Sequence, residues 1–219
     1  MKQRADMKEY IKGYKIYVAY EDDWLLIVDK PTGLLVIPTP KNERHTLTNI
    51  LNKALPPNAG PLLHPCHRLD RDTSGLIIYA KGKAVQQKMM SEFKNRKVKK
   101  AYIAVVQGKL PEQEGEMHSA IDGRSAVTRY KVIKKGEGFS VVEAQPVTGR
   151  KNQLRLHFKK LGNPILGEDR FAFRRDFKIK AKRLCLHARA LEFDHPVSKE
   201  HIRVESEVPD RIKKFLEEK

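Results

Sequence analysis

The sequence predicts an α+β fold with a mixed, largely antiparallel sheet flanked by helices and loops. Segments rich in β-branched and aromatic residues outnumber the segments with helical periodicity. The two kinds also fail to alternate along the chain as they do in a doubly wound parallel sheet. No internal repeat or low-complexity tract divides the 219 residues, so we expect one domain over residues 1–219.

The first predicted elements are short strands. β-branched and aromatic residues mark residues 14–21 and 24–29, and an acidic pair between them indicates a turn. A Lys-Pro-Thr-Gly turn at residues 30–33 leads to another short strand at residues 34–37, which two prolines stop. An apolar run predicts a further strand at residues 76–80.

Four helices are predicted from apolar spacing and from helix start and stop signals. The first begins at Thr46 and ends before Pro56, and the second carries Val85, Met89 and Phe93. The third carries Leu154, Phe158 and Leu161 before Gly162, and the fourth carries Ile212, Phe215 and Leu216 after Pro209. The remaining strands are predicted at residues 101–107, 126–133, 139–144, 184–193 and 201–205. Strands therefore dominate the second half of the chain.

The charge of the chain indicates its partners. There are 44 Lys and Arg against 27 Asp and Glu, which gives a formal net charge of +17. A folded surface with this excess binds phosphate backbones or anionic membranes. The longest apolar run, residues 24–28, is far below the ~20 residues of a membrane-spanning helix, and residues 1–10 lack the apolar core of a secretory signal. We therefore expect a soluble, cytoplasmic protein without a membrane partner.

Basic residues concentrate in two stretches. The first basic segment, residues 81–100, has eight Lys and Arg against one acid, and the second basic segment, residues 170–183, has seven against one. Phe171, Phe173 and Phe177 are interleaved in the second. Each segment is either a phosphate-binding surface or a solvated face, and the phenylalanines either stack on bases or anchor a loop. The net charge of the whole chain favours phosphate binding.

Two cysteines with histidine neighbours raise the question of a metal site. Cys66 lies between His64 and His67, and His187 follows Cys185. Structural zinc is usually held by ligands two to four residues apart in two matched pairs, whereas Cys66 and His67 are adjacent. The spacing favours buried thiols in a reduced compartment, and we expect no metal.

The densest group of reactive side chains lies at residues 67–75, just before a predicted buried strand. There Asp70 stands between Arg68 and Arg71, so a cleft could hold its carboxylate ionised between two guanidinium groups. The alternative is a turn in which residues 72–74 bond the backbone and Gly75 supplies a permissive dihedral angle. The two interpretations are compatible, because the turn can present Asp70.

A second candidate lies at residues 148–157. Gly149 precedes Arg150 and Lys151, and Arg155 follows Lys151 by one helical turn. A glycine and basic residues at the start of a helix indicate an anion site, where backbone N–H groups and the helix dipole favour phosphate. A solvated helix is the alternative.

Three stretches resemble the signature blocks of RluA-type pseudouridine synthases: HRLDRDTSGL at residues 67–76, KKAYIAVVQG at 99–108 and PVTGRKNQLRLHFKKLGNPILGE at 146–168. VDKPTGLLV at residues 28–36 and LHARALEFDHP at 186–196 are similar to flanking blocks of the same family. The resemblance covers most of the chain, and the first and third blocks are specific. It implies the catalytic fold of that family.

The resemblance also implies isomerisation of uridine in structured RNA, ribosomal or transfer, without a cofactor. Asp70 matches the family's nucleophile, which attacks either the uracil ring or the ribose C1′. Tyr102 matches the tyrosine that stacks on the target base and is a candidate for handling the C5 proton. Arg155 matches the basic residue that pairs with the aspartate, and Arg68 matches an arginine that fills the gap left by the flipped nucleotide. Base flipping and a guanidinium beside a buried carboxylate both suit this chemistry.

RNA binding is assigned to basic and polar residues of the same blocks and of the two basic segments. These are His67, Arg68, Arg150, Lys151, Gln153, Lys97, Lys99, Arg174 and Arg175. Asn152 departs from the family, which more often has His there. We expect no separate N-terminal RNA-binding domain, no obligate protein partner and a monomer. A non-catalytic RNA-binding protein or RNA chaperone with the same fold is the alternative function.

Overall fold

The computed structural model describes residues 9–11, 14–58, 60–173, 175 and 177–218. The chain forms two compact units, one of Met1–Lys99 with Ala190–Ser206 and one of Lys100–Arg189 with Glu207–Lys219. In chain order the elements are β1 (Glu9–Ile11), β2 (Ile16–Glu21), β3 (Leu25–Lys30), α1 (Leu47–Ala54), β4 (Leu63–Pro65), β5 (Ser74–Lys81), α2 (Lys83–Lys94), β6 (Lys99–Gln107), β7 (Glu114–Ile121), β8 (Arg124–Gly136), β9 (Phe139–Pro146), α3 (Gln153–Lys160), β10 (Leu186–Asp194), β11 (His201–Glu205) and α4 (Asp210–Glu217).

The first unit is built on antiparallel pairs. β2 pairs with β1 and β3, β3 pairs with β5, β5 pairs with β4, and β10 pairs with β11. Thr46 caps α1 by accepting a hydrogen bond from the Asn49 amide at 3.4 Å, as the sequence predicts. The helix α2 buries Val85 and Met89 in the core of this unit. β5 is buried along almost its whole length, which makes it the rigid element next to the Asp70 loop.

The second unit contains the hairpins β7–β8 and β8–β9, and β9 also pairs with β6, all antiparallel. The helix α3 buries Leu154 and Phe158 in the core of this unit, and α4 buries Ile212 and Phe215. Helix α3 ends at Lys160 with Leu161 as its cap, and Gly162 follows with a φ of 84°, so the glycine stop is confirmed. None of the described helices is long and apolar enough to cross a membrane.

The α+β class and the antiparallel pairing are confirmed, but one predicted strand is absent, and the sequence did not predict β1, β4 or β7. Residues 34–37 are not a strand, because only Leu35 forms an isolated bridge, to Thr46. The short strand β4 has only three residues and no strong sequence signal. The strand β7 escaped prediction because it buries only Met117 and Ile121 and contains Gly, Glu and Ala, which have low strand propensity.

Candidate active site

Asp70 lies in the loop between β4 and β5 of the first unit. Its side chain is half-buried, while the preceding Leu69 is 5% exposed and anchors the loop. The carbonyl oxygen of Asp70 accepts a hydrogen bond from the Thr73 amide at 3.2 Å, which closes a turn around the aspartate. Arg68 is exposed. The loop therefore presents Asp70 and Arg68 from a backbone that this turn constrains.

A second turn holds the Asp70 loop in place. The ammonium of Lys30 is fully buried and donates hydrogen bonds to the carbonyl oxygens of Pro31, Leu34 and Arg71 at 2.8–3.0 Å. The Gly33 amide also donates to Arg71 at 2.9 Å. Gly33 has a φ of 84°, a conformation that favours glycine. The predicted turn at residues 30–33 therefore holds Arg71, the residue that follows Asp70, through the hydrogen bonds from Lys30 and Gly33, and we call this arrangement the Lys30 clamp.

His67 supports the same loop from the other end. Its Nε2 accepts a hydrogen bond from the Ile78 amide at 3.0 Å, and its ring packs on Phe93 of α2 with centroids 4.7 Å apart. These contacts tie the start of the loop to β5 and to α2. His67 thus has a structural contact in addition to its predicted role in RNA binding.

Tyr102 is half-buried on β6 of the second unit, opposite Ala144 of β9. Lys100 lies two residues earlier and so on the same face of the strand. Burial lowers the pKa of the Lys100 ammonium. A Cβ at Gly149 would stand 3.9 Å from Lys100 Nζ, so the amine lies against the turn that precedes α3. The sequence did not distinguish Lys100 from the other Lys and Arg residues of the first basic segment.

The turn before α3 is organised by the amide of Gln153, which is buried. Its Oε1 accepts hydrogen bonds from Thr148 Oγ1 at 2.7 Å and from the Arg150 amide at 2.9 Å. Its Nε2 donates to the Val127 carbonyl and to Thr128 Oγ1, both at 2.9 Å. Both ends of the amide are thus engaged within the chain. Gln153 fixes the turn onto β8, and its predicted contact with RNA stays a prediction.

Asn152 is the cap of α3 and has left-handed backbone angles, φ 54° and ψ 25°. Asn is one of the few residues that tolerate this region. Its Oδ1 also lies 3.5 Å from Arg155 Nη1. The left-handed backbone therefore gives a local reason for Asn at this position.

Arg155 on α3 forms a buried ion pair with Glu168. Nε donates to Glu168 Oε2 and Nη2 donates to Oε1, both at 2.6 Å, and the side chains are 4% and 1% exposed. Burial alone raises the pKa of the Glu168 carboxyl, but the hydrogen bonds from Arg155 and from the Arg170 amide outweigh it and leave the pKa below its ordinary value. Sequence reasoning missed Glu168, because it lies beyond the end of α3 and follows no helical or strand period. Its place in the third signature block was the one signal available.

The remaining predicted RNA-binding residues are on the surface. Lys151, Lys97, Lys99 and Arg175 are exposed, Arg150 is half-buried, and Arg174 lies outside the described residues. Lys97 and Lys99 lie beside carboxylates, Lys97 Nζ 3.8 Å from Glu92 and Lys99 Nζ 2.6 Å from Glu192. Exposed pairs of this kind are weak, so phosphates can compete for these ammonium groups.

Both cysteines are buried thiols. Burial raises the pKa of Cys66 to about 12 and that of Cys185 to about 11, so both are protonated near neutral pH. Within the part of the chain that the structure describes, no group of three or more His, Cys, Asp and Glu is arranged to hold a metal ion.

Comparisons with known proteins place these residues in a family. Residues 24–160 match the family model described as RNA pseudouridylate synthase. The dual-specificity RNA pseudouridine synthase RluA of Haemophilus influenzae is 35% identical in an alignment of 201 positions that covers 84% of this chain and 89% of that protein. Ribosomal large subunit pseudouridine synthase D of Xanthomonas campestris is 35% identical in an alignment of 228 positions that covers 91% of this chain and 68% of that protein.

A solved structure gives the same result. The human RNA pseudouridylate synthase domain containing 4 superposes with a TM-score of 0.76 at 26% identity, over 91% of each chain. The family model covers more than half of this chain, including Asp70, Tyr102 and Arg155. The resemblance seen in the signature blocks is thereby confirmed. The chain belongs to the RNA pseudouridylate synthase family, and it is an RNA pseudouridine synthase of the RluA type, an isomerase.

Proposed function

We propose that this enzyme isomerises specific uridines in structured RNA, ribosomal or transfer, to pseudouridine. The N1–C1′ bond breaks, the uracil turns, and a C5–C1′ bond forms. The hydrogen of C5 leaves to solvent and N1 acquires a proton, so the composition of the nucleotide is unchanged. The reaction needs no cofactor or metal. The observation that carries the proposal is the family match across the segments with Asp70, Tyr102 and Arg155.

Asp70 is the nucleophile in this proposal, and it attacks either the uracil ring or C1′ of the ribose. A nucleophilic carboxylate must be held at a fixed distance from its target, because small displacements are expensive in rate. The hydrogen bond from Lys30 to Arg71 and the turn closed by Thr73 support this role, since they fix the backbone at Asp70 and in the residues that follow it.

The uracil must leave its stack to reach Asp70, which costs a few kcal/mol. We propose that the exposed Arg68 fills the gap left by the flipped nucleotide and that Tyr102 stacks on the extruded base. Arg155 stabilises the Asp70 carboxylate. Tyr102 is also the candidate for handling the C5 proton.

We assign RNA contacts to basic residues on the surface of this chain. The proposed contacts are the exposed Arg68, Lys97, Lys99, Lys151 and Arg175, together with Arg150 and Arg174. His67 and Gln153 contribute by holding the loops at which RNA docks. Lys100 is an additional phosphate contact, because a partly desolvated ammonium gains by pairing with an anion. The enzyme works in the cytoplasm as a monomer. The names of relatives that act on the ribosomal large subunit, or with dual specificity, support an RNA substrate of this kind.

The test is release of tritium from RNA labelled at C5 of uridine. The proposal predicts tritium release by the purified enzyme, and loss of specific pseudouridines in RNA from a strain that lacks the gene. Absence of release on total cellular RNA, with RNA binding retained, would instead support the non-catalytic RNA-binding protein.

A further inference from the structure

The Arg155–Glu168 pair has a geometry that fixes orientation as well as charge. Two parallel N–H···O bonds of 2.6 Å join the guanidinium to the carboxylate, and both side chains are almost fully buried. A bidentate pair holds the plane of the guanidinium in a way that a single contact does not. A buried ion pair adds little net stability compared with apolar packing of the same volume. The pair therefore acts mainly by fixing the orientation of the Arg155 guanidinium.

Glu168 has further contacts that fix the carboxylate itself. Oε1 accepts hydrogen bonds from the backbone amides of Arg170 at 2.8 Å and Phe171 at 3.1 Å. Gly167, with a φ of 78°, runs so close to the backbone of Arg183 that a side chain at this position would overlap it. The backbone that carries Glu168 is thus closely packed and fixed in position.

The aromatic ring of Phe171 completes the environment of Arg155. The Arg155 Cζ lies 5.1 Å from the ring centroid, and the Arg170 Cζ lies 5.3 Å from the same ring. Arg155 is thus held at its edge by a carboxylate and over its face by an aromatic ring. Phe171 is the second residue of the second basic segment, and Glu168 lies two residues before the segment begins.

We propose that Glu168 is a positioning residue for the isomerisation, which acts by aiming the Arg155 guanidinium and by joining it to the second basic segment. The inference rests on the proposed role of Arg155. Because one carboxylate binds both Arg155 and the backbone at residues 170 and 171, RNA that docks on the segment meets an arginine already in its working orientation. Loss of Glu168 therefore affects the chemical step more than RNA binding.

The test separates the single-turnover rate from the RNA dissociation constant in folded variants. Glu168→Gln keeps the shape but loses the charge and one acceptor, and we expect its rate to fall about 100-fold. Its RNA dissociation constant should stay within about threefold of the wild type. Glu168→Asp keeps the charge on a shorter side chain, and its rate should lie between those of the wild type and Glu168→Gln. Asp169→Asn is the matched control, because that exposed carboxylate lies 3.9 Å from Arg155 Nη2 and should not affect the rate.

A double-mutant cycle tests whether Glu168 acts through Arg155. In the Arg155→Lys background, Glu168→Gln should change the rate by less than about threefold. An undiminished effect there, or a wild-type rate for folded Glu168→Gln, overturns the proposal. If Glu168→Gln does not fold, Glu168→Asp decides, and a wild-type rate for it counts against positioning. A wild-type enzyme without turnover would instead refute the proposed function, and Arg155→Lys with a wild-type rate would refute only the proposed role of Arg155.

Discussion

The ammonium of Lys30 lies 3.0 Å from the carbonyl oxygen of Arg71, the residue that follows Asp70. The Lys30 side chain is 0% exposed, and its ammonium also donates hydrogen bonds to the carbonyl oxygens of Pro31 and Leu34. Three acceptors match the three N–H donors of an ammonium group. A buried charge thus fixes the loop that carries the proposed nucleophile.

Replacing Lys30 tests this clamp. Lys30→Met keeps the length of the side chain but leaves buried carbonyl oxygens without a donor. We expect the free energy of unfolding to fall by about 3 kcal/mol, measured by urea denaturation. Lys88→Met, at an exposed position on α2, is the control and should change it by less than about 0.5 kcal/mol. Equal midpoints for the two variants would show that the clamp contributes nothing.

The backbone of Asn152 predicts an unusual order of stability. Asn152→Gly and Asn152→Ala both lose the contact with Arg155 Nη1, but only alanine is strained at a φ of 54°. We expect the alanine variant to be less stable than the glycine variant by about 1 kcal/mol in thermal or urea unfolding. An alanine variant at least as stable as the glycine variant would contradict the left-handed cap.

His187 makes the second unit sensitive to acid. Burial, followed by the charges of Arg211 and Arg189, lowers its pKa from 6.5 to about 3. Between these values the unfolded chain binds a proton that the folded chain does not, so stability falls as the pH falls. Going from pH 7 to pH 5, this residue should remove about 2 kcal/mol from the free energy of unfolding. His187→Gln should lose correspondingly less over the same interval, and an unchanged pH profile would disprove the assignment.

The second basic segment should determine part of the salt dependence of RNA binding. Replacing Lys178, Lys180 and Lys182 with alanine should reduce the slope of log affinity against log salt by about 2. A matched variant with alanine at Lys109, Lys131 and Lys213 loses the same charge elsewhere and should leave the slope nearly unchanged. Equal slopes for the two variants would mean that the segment is an ordinary solvated face.

Local sequence signals anticipated the elements with strong periodicity. The helix that begins at Thr46, the helix around Val85 and Met89, and the buried strand β5 all follow from caps and apolar spacing. Residues 34–37 are apolar without being a strand, because that stretch is held by the Lys30 turn and by contacts of Leu35 and Val36 with α1. Apolar character alone does not distinguish a strand from a buried loop.

The proposed catalytic residues come from the signature blocks, whereas contacts that depend on tertiary pairing escaped prediction. Asp70, Tyr102 and Arg155 were identified from the resemblance. The carboxylate of Glu168 is paired with Arg155 across 13 positions of sequence, and no local pattern specifies which acid binds a given arginine. The hydrogen bonds of Lys30 to three carbonyl oxygens cannot be predicted from the sequence either, since every residue has a backbone carbonyl.

Asp70→Asn tests most directly whether Asp70 carries the chemistry. The substitution keeps the size of the side chain and removes the nucleophilic carboxylate. We expect tritium release from C5-labelled RNA below about a thousandth of the wild-type rate, with RNA affinity within about threefold. The matched variant Asp72→Asn, two residues away in the same loop, should retain activity. Normal tritium release by folded Asp70→Asn would contradict the account.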